Sequence, residues 1–302
     1  MISTAARAAA LGGLLIAAGA AQAADPTPLR IAVDGETRRY LMIAPDAAPA
    51  PLLVALHGEG GLARSFRKTT RLDAAAARYG WGVAYLQGAN NSWNSDPDGA
   101  HTPNDRATSS DDRRFIDAVV ERLEADGVAA LGQVAIVGYG RGGAMAYRYA
   151  CDRADRILGF AMVAGFAHAD APCAPLTRAG AVIVHGDADP IHPVAGGLID
   201  AQRIPGGRAR AASLDVAIAA WTALASATCA TERTTPDRRP LAPDGLTLVS
   251  IADCGVATYA IEGGGHYWPG GDQVESRAVF GPQPAGFDAS KAIAAAFAAM
   301  AE

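Results

Sequence analysis

The fold is constrained most by a series of short apolar runs that alternate with helix-like segments along the chain. Few polar residues interrupt these runs, which occupy residues 51–56, 82–86, 134–137, 158–163 and 181–185. A strand with one face in water alternates polar and apolar side chains, whereas a strand that is buried on both faces does not. The runs therefore predict the strands of a parallel sheet that is covered on both sides.

The segments between the apolar runs have the periodicity of helices. The clearest begins after Ser109, Ser110 and Asp111, which are suitable N-cap residues, and places apolar side chains on one face as far as Leu123. Further helices are predicted over residues 141–151, 214–227 and 289–300, and antiparallel strand pairs over 29–33 with 39–43 and 246–251 with 257–261. This alternation predicts the α/β class, with a single doubly wound, mostly parallel sheet flanked by helices.

The N-terminus has the pattern of a cleaved export signal. Arg7 precedes an apolar stretch over residues 8–20, and Ala21-Gln22-Ala23 is an A-x-A cleavage site. The stretch is shorter than the ~20 residues that cross a bilayer, so no membrane anchor is predicted. The sequence predicts a signal peptide over residues 1–23, a single domain over residues 24–302, and a secreted or periplasmic location.

Charge and cysteine content narrow the classes of partner and cofactor. The formal net charge is −5 and no basic cluster stands out, which argues against a nucleic-acid partner. An even number of cysteines in an exported protein favours disulfides, and none lies in a C-x-x-C pair that would indicate zinc. The pairing stays open among Cys151, Cys173, Cys229 and Cys254.

One glycine-rich segment lies between a predicted strand and a predicted helix. Gly138-Tyr139-Gly140-Arg141-Gly142 has the spacing and context of the G-x-S-x-G turn that carries the nucleophile of serine hydrolases. Glycine occupies the central position, where the serine belongs. The scaffold of the turn is therefore predicted without its attacking atom.

Three other segments would complete the machinery around such a turn. Their chain order is that of a serine hydrolase, and they are Leu56-His57-Gly58-Glu59-Gly60-Gly61, His185-Gly186-Asp187-Ala188-Asp189-Pro190 and Gly263-Gly264-Gly265-His266-Tyr267-Trp268. Asp189 is the predicted acid and His266 the predicted base. Backbone N–H groups at Glu59 and Arg141 are the predicted oxyanion donors. The alternatives are that Asp189 only caps its turn and that His266 is a buried structural residue.

Other polar and aromatic residues allow two interpretations each. The polar stretch over residues 88–108 predicts a substrate-facing loop that contains Trp93, or a surface flap whose tryptophan covers a core edge. Trp268 is the second candidate for substrate binding, and His57 is predicted to be structural. His185, Asp187, Asp189 and His192 could imitate a metal cluster, but neighbouring side chains of a strand point to opposite faces. No metal or cofactor is predicted.

These motifs together resemble the secreted poly(3-hydroxybutyrate) depolymerase and feruloyl esterase-like family, over roughly residues 39–300. The resemblance is carried by LHGEGG, GYGRGG, HGDADP, Gly196-Gly197, GGGHYWPG and the four cysteines. It implies an α/β-hydrolase fold, Asp189 and His266 as acid and base, and oxyanion donors at Glu59 and Arg141. It also implies Cys151–Cys173 and Cys229–Cys254 disulfides. The family's serine position falls on Gly140.

The sequence leaves competing functions open. The chain is either an ester hydrolase whose turnover is strongly impaired or performed by a water that His266 activates, or a binding protein for polyester oligomers or feruloylated saccharides. A metal-dependent hydrolase would need His185 or His192 to contact an ion. The expected ligand is a small ester or an oligomer.

Overall fold

The computed structural model describes residue 26 and residues 28–95, 111–169, 179–199, 210–226, 235–242, 246–253 and 255–302. The predicted signal peptide and the end of the polar stretch lie outside these residues, as do Cys173, Cys229 and Cys254. Cys151 lies within them and is disulfide-bonded. Its pairing stays a prediction.

A ten-stranded sheet forms the centre of the molecule, in the order β1-β2-β4-β3-β5-β6-β7-β12-β11-β10. Neighbours from β4 to β12 run parallel, and the pairs at both edges run antiparallel. The strands are β1 Leu29–Val33, β2 Glu36–Ile43, β3 Ala50–Leu56, β4 Gly82–Gln87, β5 Ala129–Tyr139, β6 Gly159–Val163, β7 Gly180–Gly186, β10 Asp237–Leu241, β11 Leu246–Asp253 and β12 Val256–Glu262, with a separate small pair of β8 Gly197–Leu198 and β9 Arg210–Ala211.

Helices cover the sheet on both faces. The helices are α1 Ala63–Thr70, α2 Leu72–Ala76, α3 Asp112–Ala125, α4 Arg141–Arg153, α5 Leu214–Ser226, α6 Arg277–Phe280 and α7 Ala289–Ala301. One apolar core forms between the sheet and α3, α4 and α5, and a second forms between the sheet and α1, α2 and α7. Burial on both faces explains why the parallel strands lack polar alternation.

The predicted doubly wound sheet and its flanking helices are confirmed, with shifts at the ends of the elements. Asp111 is the N-cap of α3 and accepts a hydrogen bond from the N–H of Arg113. Helices α1 and α2 were not predicted; they are short and are separated by Arg71 in a left-handed conformation with φ 50°. Strand β10 was not predicted either; it is an exposed edge strand that contains Pro240.

Among the described residues, no helix combines the length and the apolar character that a bilayer span requires.

Candidate active site

The turn between β5 and α4 has the backbone of a nucleophile elbow. Gly140 lies between the two elements with φ 56° and ψ −121°, a conformation that side-chain-bearing residues rarely adopt. Its N–H donates to the Val163 carbonyl of β6 at 3.0 Å. The sharp turn at the carboxyl edge of the sheet is therefore formed without the serine.

The three glycines of this turn differ in the space that surrounds them. A Cβ on Gly138 would overlap the Gly142 carbonyl, and one on Gly142 would overlap the His57 carbonyl. A Cβ on Gly140 would instead lie 3.4 Å from Nε2 of His266, in ordinary van der Waals contact. Two of the glycines are thus required by close packing, whereas position 140 has room for a small side chain that would face the imidazole.

The predicted acid, Asp189, and the predicted base, His266, are hydrogen-bonded to each other. Nδ1 of His266 lies 2.7 Å from Oδ2 of Asp189, and both side chains are buried. The other carboxylate oxygen accepts the N–H groups of Ile191 and His192, each at 2.8 Å. Burial by itself would raise the pKa of Asp189, but the charge and hydrogen bond of His266, and after them the charges of His185 and His192, lower it to about 2. The carboxylate is therefore ionised at neutral pH and fixes the orientation of the imidazole.

Glycines allow the loop after β12 to present His266 in a tight space. The His266 N–H donates to the Phe280 carbonyl at 2.7 Å, and a Cβ on Gly265 would overlap that same carbonyl. Tyr139 donates its hydroxyl to the His266 carbonyl at 3.0 Å. Burial raises the pKa of Tyr139, so this neighbour of Gly140 supports the loop as a neutral phenol and is a poor nucleophile.

The side chains at the two predicted oxyanion positions, Glu59 and Arg141, lie close together. Glu59 and Arg141 both line the pocket, and Oε2 of Glu59 lies 3.7 Å from Nε of Arg141. Oε2 also accepts the Ser92 hydroxyl at 2.7 Å, while Nε of Arg141 donates to the Trp93 carbonyl at 2.7 Å. Their side chains join the loop after β3 to the elbow. The role of their backbone N–H groups stays a prediction.

Trp93 is a core residue, and its assignment to substrate binding is wrong. The side chain is fully buried, and Nε1 donates to the His57 carbonyl at 2.7 Å. It is absent from the lining of the pocket in the described residues. Burial of so large an apolar ring stabilises the core and agrees with the alternative of a tryptophan that covers it, while the rest of the polar stretch lies outside the described residues.

His57 has the structural role predicted for it. Nδ1 donates to the Gly58 carbonyl at 2.8 Å, so Nε2 accepts the N–H of Gly88 at 3.0 Å. Burial lowers the pKa of His57 to about 4, and the ring is neutral at physiological pH. It ties the loop after β3 to the start of the polar stretch.

Of the four residues in the predicted metal-like cluster, Asp187 points away from the others, whereas Nε2 of His185 lies 3.6 Å from Oδ2 of Asp189 and His192 donates its backbone N–H to Asp189. Asp187 accepts the N–H of Gly263 at 2.5 Å and joins the loops after β7 and β12. His185 is buried, and its Nε2 lies 2.8 Å from the His192 carbonyl. His192 alone of the two histidines lines the pocket, with its ring centroid 4.8 Å from that of His266. From the sequence, His192 was a candidate only as a metal ligand, and its position beside His266 was not predicted.

The pocket over these residues has a volume of about 430 Å³. Trp268 lines it, but its side chain is almost fully buried and its Nε1 donates to the Ser290 hydroxyl at 3.0 Å, so its role in substrate binding stays a prediction. Other apolar lining residues are Leu62, Phe66, Phe166, Ile191, Ile199, Val274 and Phe280. A mostly apolar pocket with a few convergent polar groups is typical of a small-molecule site.

A twisted parallel sheet with an elbow after β5, a carboxylate after β7 and a histidine after β12 defines the α/β-hydrolase class. Solved structures share this fold: the acetyl xylan esterase from Aspergillus awamori has a TM-score of 0.50 at 12% identity, over 76% of this chain and 89% of its own. A second, described as "Crystal Structure of sOPH Native", has a TM-score of 0.50 at 16% identity, over 82% and 84%.

Two curated relatives are similar in sequence. "Putative esterase NocK" of Nocardia uniformis subsp. tsuyamanensis is 33% identical over 275 residues, which cover 85% of this chain and 78% of NocK. "Probable feruloyl esterase C" of Aspergillus niger is 32% identical over 101 residues, 33% of this chain and 36% of the relative. No protein-family model matches. The chain belongs to the esterase family that includes NocK.

Proposed function

We propose that this chain is an ester hydrolase in which the Asp189–His266 pair activates a water molecule instead of a serine hydroxyl. One observation carries the proposal: the space beside Gly140, where a serine side chain would lie, is directly in front of Nε2 of His266, 3.4 Å from the ideal Cβ position. The imidazole is held by Asp189 at 2.7 Å. The base therefore faces a space that accommodates a small hydroxyl donor.

In the proposed reaction, His266 acts first as base and then as acid. Nε2 takes a proton from the water while the water oxygen bonds to the ester carbonyl carbon. The carbonyl oxygen becomes an anion, which accepts hydrogen bonds from the backbone N–H groups of Glu59 and Arg141. When this intermediate collapses, the ester C–O bond breaks and Nε2 returns the proton to the leaving alkoxide. The products are a carboxylic acid and an alcohol, and no acyl-enzyme forms.

Turnover by this route is expected to be slow. In a serine protease, removal of the nucleophile costs on the order of 10⁶ in kcat, and the remaining groups still accelerate the reaction about 10³–10⁴-fold over water. A free water must be oriented at each turnover, whereas a serine oxygen is held by the chain.

The finer parts of the proposal concern substrate and location. A depolymerase-like or feruloyl esterase-like substrate is supported by the motif set, by the segment similar to feruloyl esterase C, and by an apolar pocket large enough for a short oligomer. Export is supported by the signal-like pattern of residues 1–23. We propose small esters or oligomers of hydroxyalkanoic or aromatic acids as substrates.

A second candidate is a binding protein that uses the same pocket without chemistry. It is favoured by the absence of a hydroxyl at residue 140. The two candidates differ in product release: a binding protein gives saturable binding of a hydroxybutyrate oligomer or a feruloyl ester and leaves the ester intact.

The decisive experiment compares the wild type with Gly140→Ser and Gly140→Ala on short-chain aryl esters and hydroxybutyrate oligomers. Both variants add a Cβ at the same backbone conformation, so they share its strain and differ only in the hydroxyl. We expect Gly140→Ser to gain turnover by up to about 10⁶-fold, with a burst of acyl-enzyme and labelling by a fluorophosphonate. Gly140→Ala should lose the wild-type turnover because its methyl group occupies the space of the water.

Wild-type turnover that survives in Gly140→Ala would contradict the water mechanism. Equal inactivity of all three proteins, with ligand binding intact, would favour the binding protein. Covalent labelling of the wild type by the fluorophosphonate would identify another nucleophile and overturn the proposal.

A further inference from the structure

Two imidazoles share the pocket wall beside Gly140. The ring centroids of His192 and His266 are 4.8 Å apart, and the ring planes are nearly perpendicular, at 88°. Both side chains are buried, and both residues line the pocket. The proposed hydrolysis uses only His266.

Hydrogen bonds fix which nitrogen of each ring carries the proton. Nδ1 of His266 contacts the Asp189 carboxylate at 2.7 Å, and Nδ1 of His192 contacts the Ala164 carbonyl at 2.7 Å. Both partners can only accept, so Nδ1 is the protonated nitrogen in each case. In each neutral ring, Nε2 consequently has a free electron pair.

This arrangement is the one that metal-binding histidines have. A ligating histidine nearly always donates its other ring N–H to a carboxylate or a backbone carbonyl, which fixes its orientation and raises its basicity. One donor atom from each of Asp189, His192 and His266 lies within 4.8 Å of the other two. Because Asp189 is already bonded to His266, its place is that of the outer partner and not of a direct ligand.

The charge around the pocket favours a cation. Among the described residues that line it, Glu59, Asp272 and Glu275 are acidic and Arg141 is basic. Arg141 is itself 3.7 Å from Glu59. The buried Asp189 carboxylate adds a further negative charge behind His266. A divalent cation that enters the pocket would therefore gain from the local field.

We propose that Nε2 of His192 and Nε2 of His266 together bind a divalent transition-metal cation of the zinc class. Imidazole suits zinc, copper and nickel, whereas magnesium and calcium prefer oxygen ligands. A cation on Nε2 of His266 takes the electron pair that would otherwise accept the proton of water. The site therefore inhibits the proposed hydrolysis, and only this inhibition depends on the proposed function.

The test measures binding directly. The full-length protein is treated with EDTA, freed of chelator, and titrated with ZnCl₂ by calorimetry and with CoCl₂ by visible absorption. The series is the wild type, His192→Val, His266→Ala and, as control, His168→Gln. His168 is a half-buried histidine outside the pocket lining that contacts the Ser95 hydroxyl at 3.1 Å.

We expect one cation per wild-type chain and no competition by Mg²⁺. Loss of either ring should weaken zinc binding by about 100-fold or more, since even a lost outer partner costs about 10–100-fold. His168→Gln should bind as the wild type does. Thermal unfolding checks that each variant is folded. Should His192→Val not fold, His266→Ala and X-ray absorption of the zinc-loaded wild type decide, with two imidazole nitrogens expected at about 2.0–2.1 Å.

Absence of wild-type binding, or binding that persists in both ring variants, overturns the inference. Ester turnover is assayed in parallel with EDTA and with zinc. Turnover in EDTA without any zinc binding would overturn this site alone, and zinc binding without turnover would overturn the proposed function alone.

Discussion

The two walls of the pocket differ in the functional groups that they carry. The acid–base wall, formed by the loops after β7 and β12, has its carboxylate, its imidazole and the hydrogen bonds that orient them, including 2.7 Å between Asp189 and His266. The elbow wall has the positive-φ turn at Gly140, which glycine adopts without strain, but no reactive side chain. Elbow geometry in this chain therefore comes from packing around the turn, and the serine is not needed to form it.

The packing that shapes the elbow comes from the two outer glycines. Gly138 lies so close to the Gly142 carbonyl, and Gly142 so close to the His57 carbonyl, that neither position has room for a Cβ. Position 140 faces the pocket and has room. Position 140 is therefore sterically the most permissive of the three, so its side chain can change while the turn remains.

The largest effect is expected on the acid–base wall. In the Gly140→Ser protein, Asp189→Asn should lower kcat by about 10⁴-fold, as in a serine protease, because the amide no longer stabilises the imidazolium. Asp187→Asn is the matched control, since Asp187 is two residues away and bonds only to the Gly263 backbone among the described residues. The measurement is steady-state kinetics. Equal effects of the two substitutions on kcat would contradict the role of Asp189 as the acid.

The next effect separates the outer glycines from the central one. Gly142→Ala should lower the free energy of unfolding by about 3 kcal/mol or more, because its methyl group overlaps the His57 carbonyl. Gly140→Ala should cost about 1–2 kcal/mol, which is the strain of its positive φ alone. Urea unfolding of both variants measures the difference. Equal destabilisation would show that the central position is as constrained as its neighbours.

A smaller effect is expected from pH. The pKa of His57 is lowered to about 4 in the folded protein, chiefly by burial, against 6.5 for an unperturbed ring. The unfolded chain therefore binds more protons between these values, and the stability that is present above pH 6.5 is lost as the pH falls towards 4. Between pH 7 and pH 5, protonation of His57 in the unfolded chain should lower the free energy of unfolding by about 2 kcal/mol. Denaturant unfolding of the wild type and His57→Gln should give a shallower pH dependence in the variant.

The smallest effect on stability is expected from a substitution of the buried Trp93. Trp93→Phe removes the indole N–H that donates to the His57 carbonyl at 2.7 Å, while most of the apolar area stays. We expect a loss of about 1–2 kcal/mol in unfolding free energy, from the unsatisfied carbonyl. Because Trp93 is buried behind the pocket, KM for aryl esters should stay unchanged. A large rise in KM with unchanged stability would restore the substrate-binding assignment.

Much of the architecture was predictable because burial leaves a local mark on the sequence. The central parts of strands β3 to β7 are covered on both faces and are readable as uninterrupted apolar runs, whereas the first half of β5, with Leu131 exposed, was not predicted. Helices α1 and α2 were not predicted because they have only 8 and 5 residues; α1 is strongly amphipathic, but about two turns are too few for its pattern to stand out. The elbow, acid and base were predictable from short glycine-rich motifs in a fixed order.

By itself, the sequence determined the order of the motifs, the identities of Asp189 and His266, and the glycine at residue 140. Only the tertiary structure decided that Trp93 is a core residue and that His192 lies against His266. The loops that carry these two histidines meet because β7 and β12 are parallel neighbours with the register Val184 to Tyr259. Pairing between distant strands is a property of the whole sheet, and no local pattern in the chain encodes which side chains it brings together.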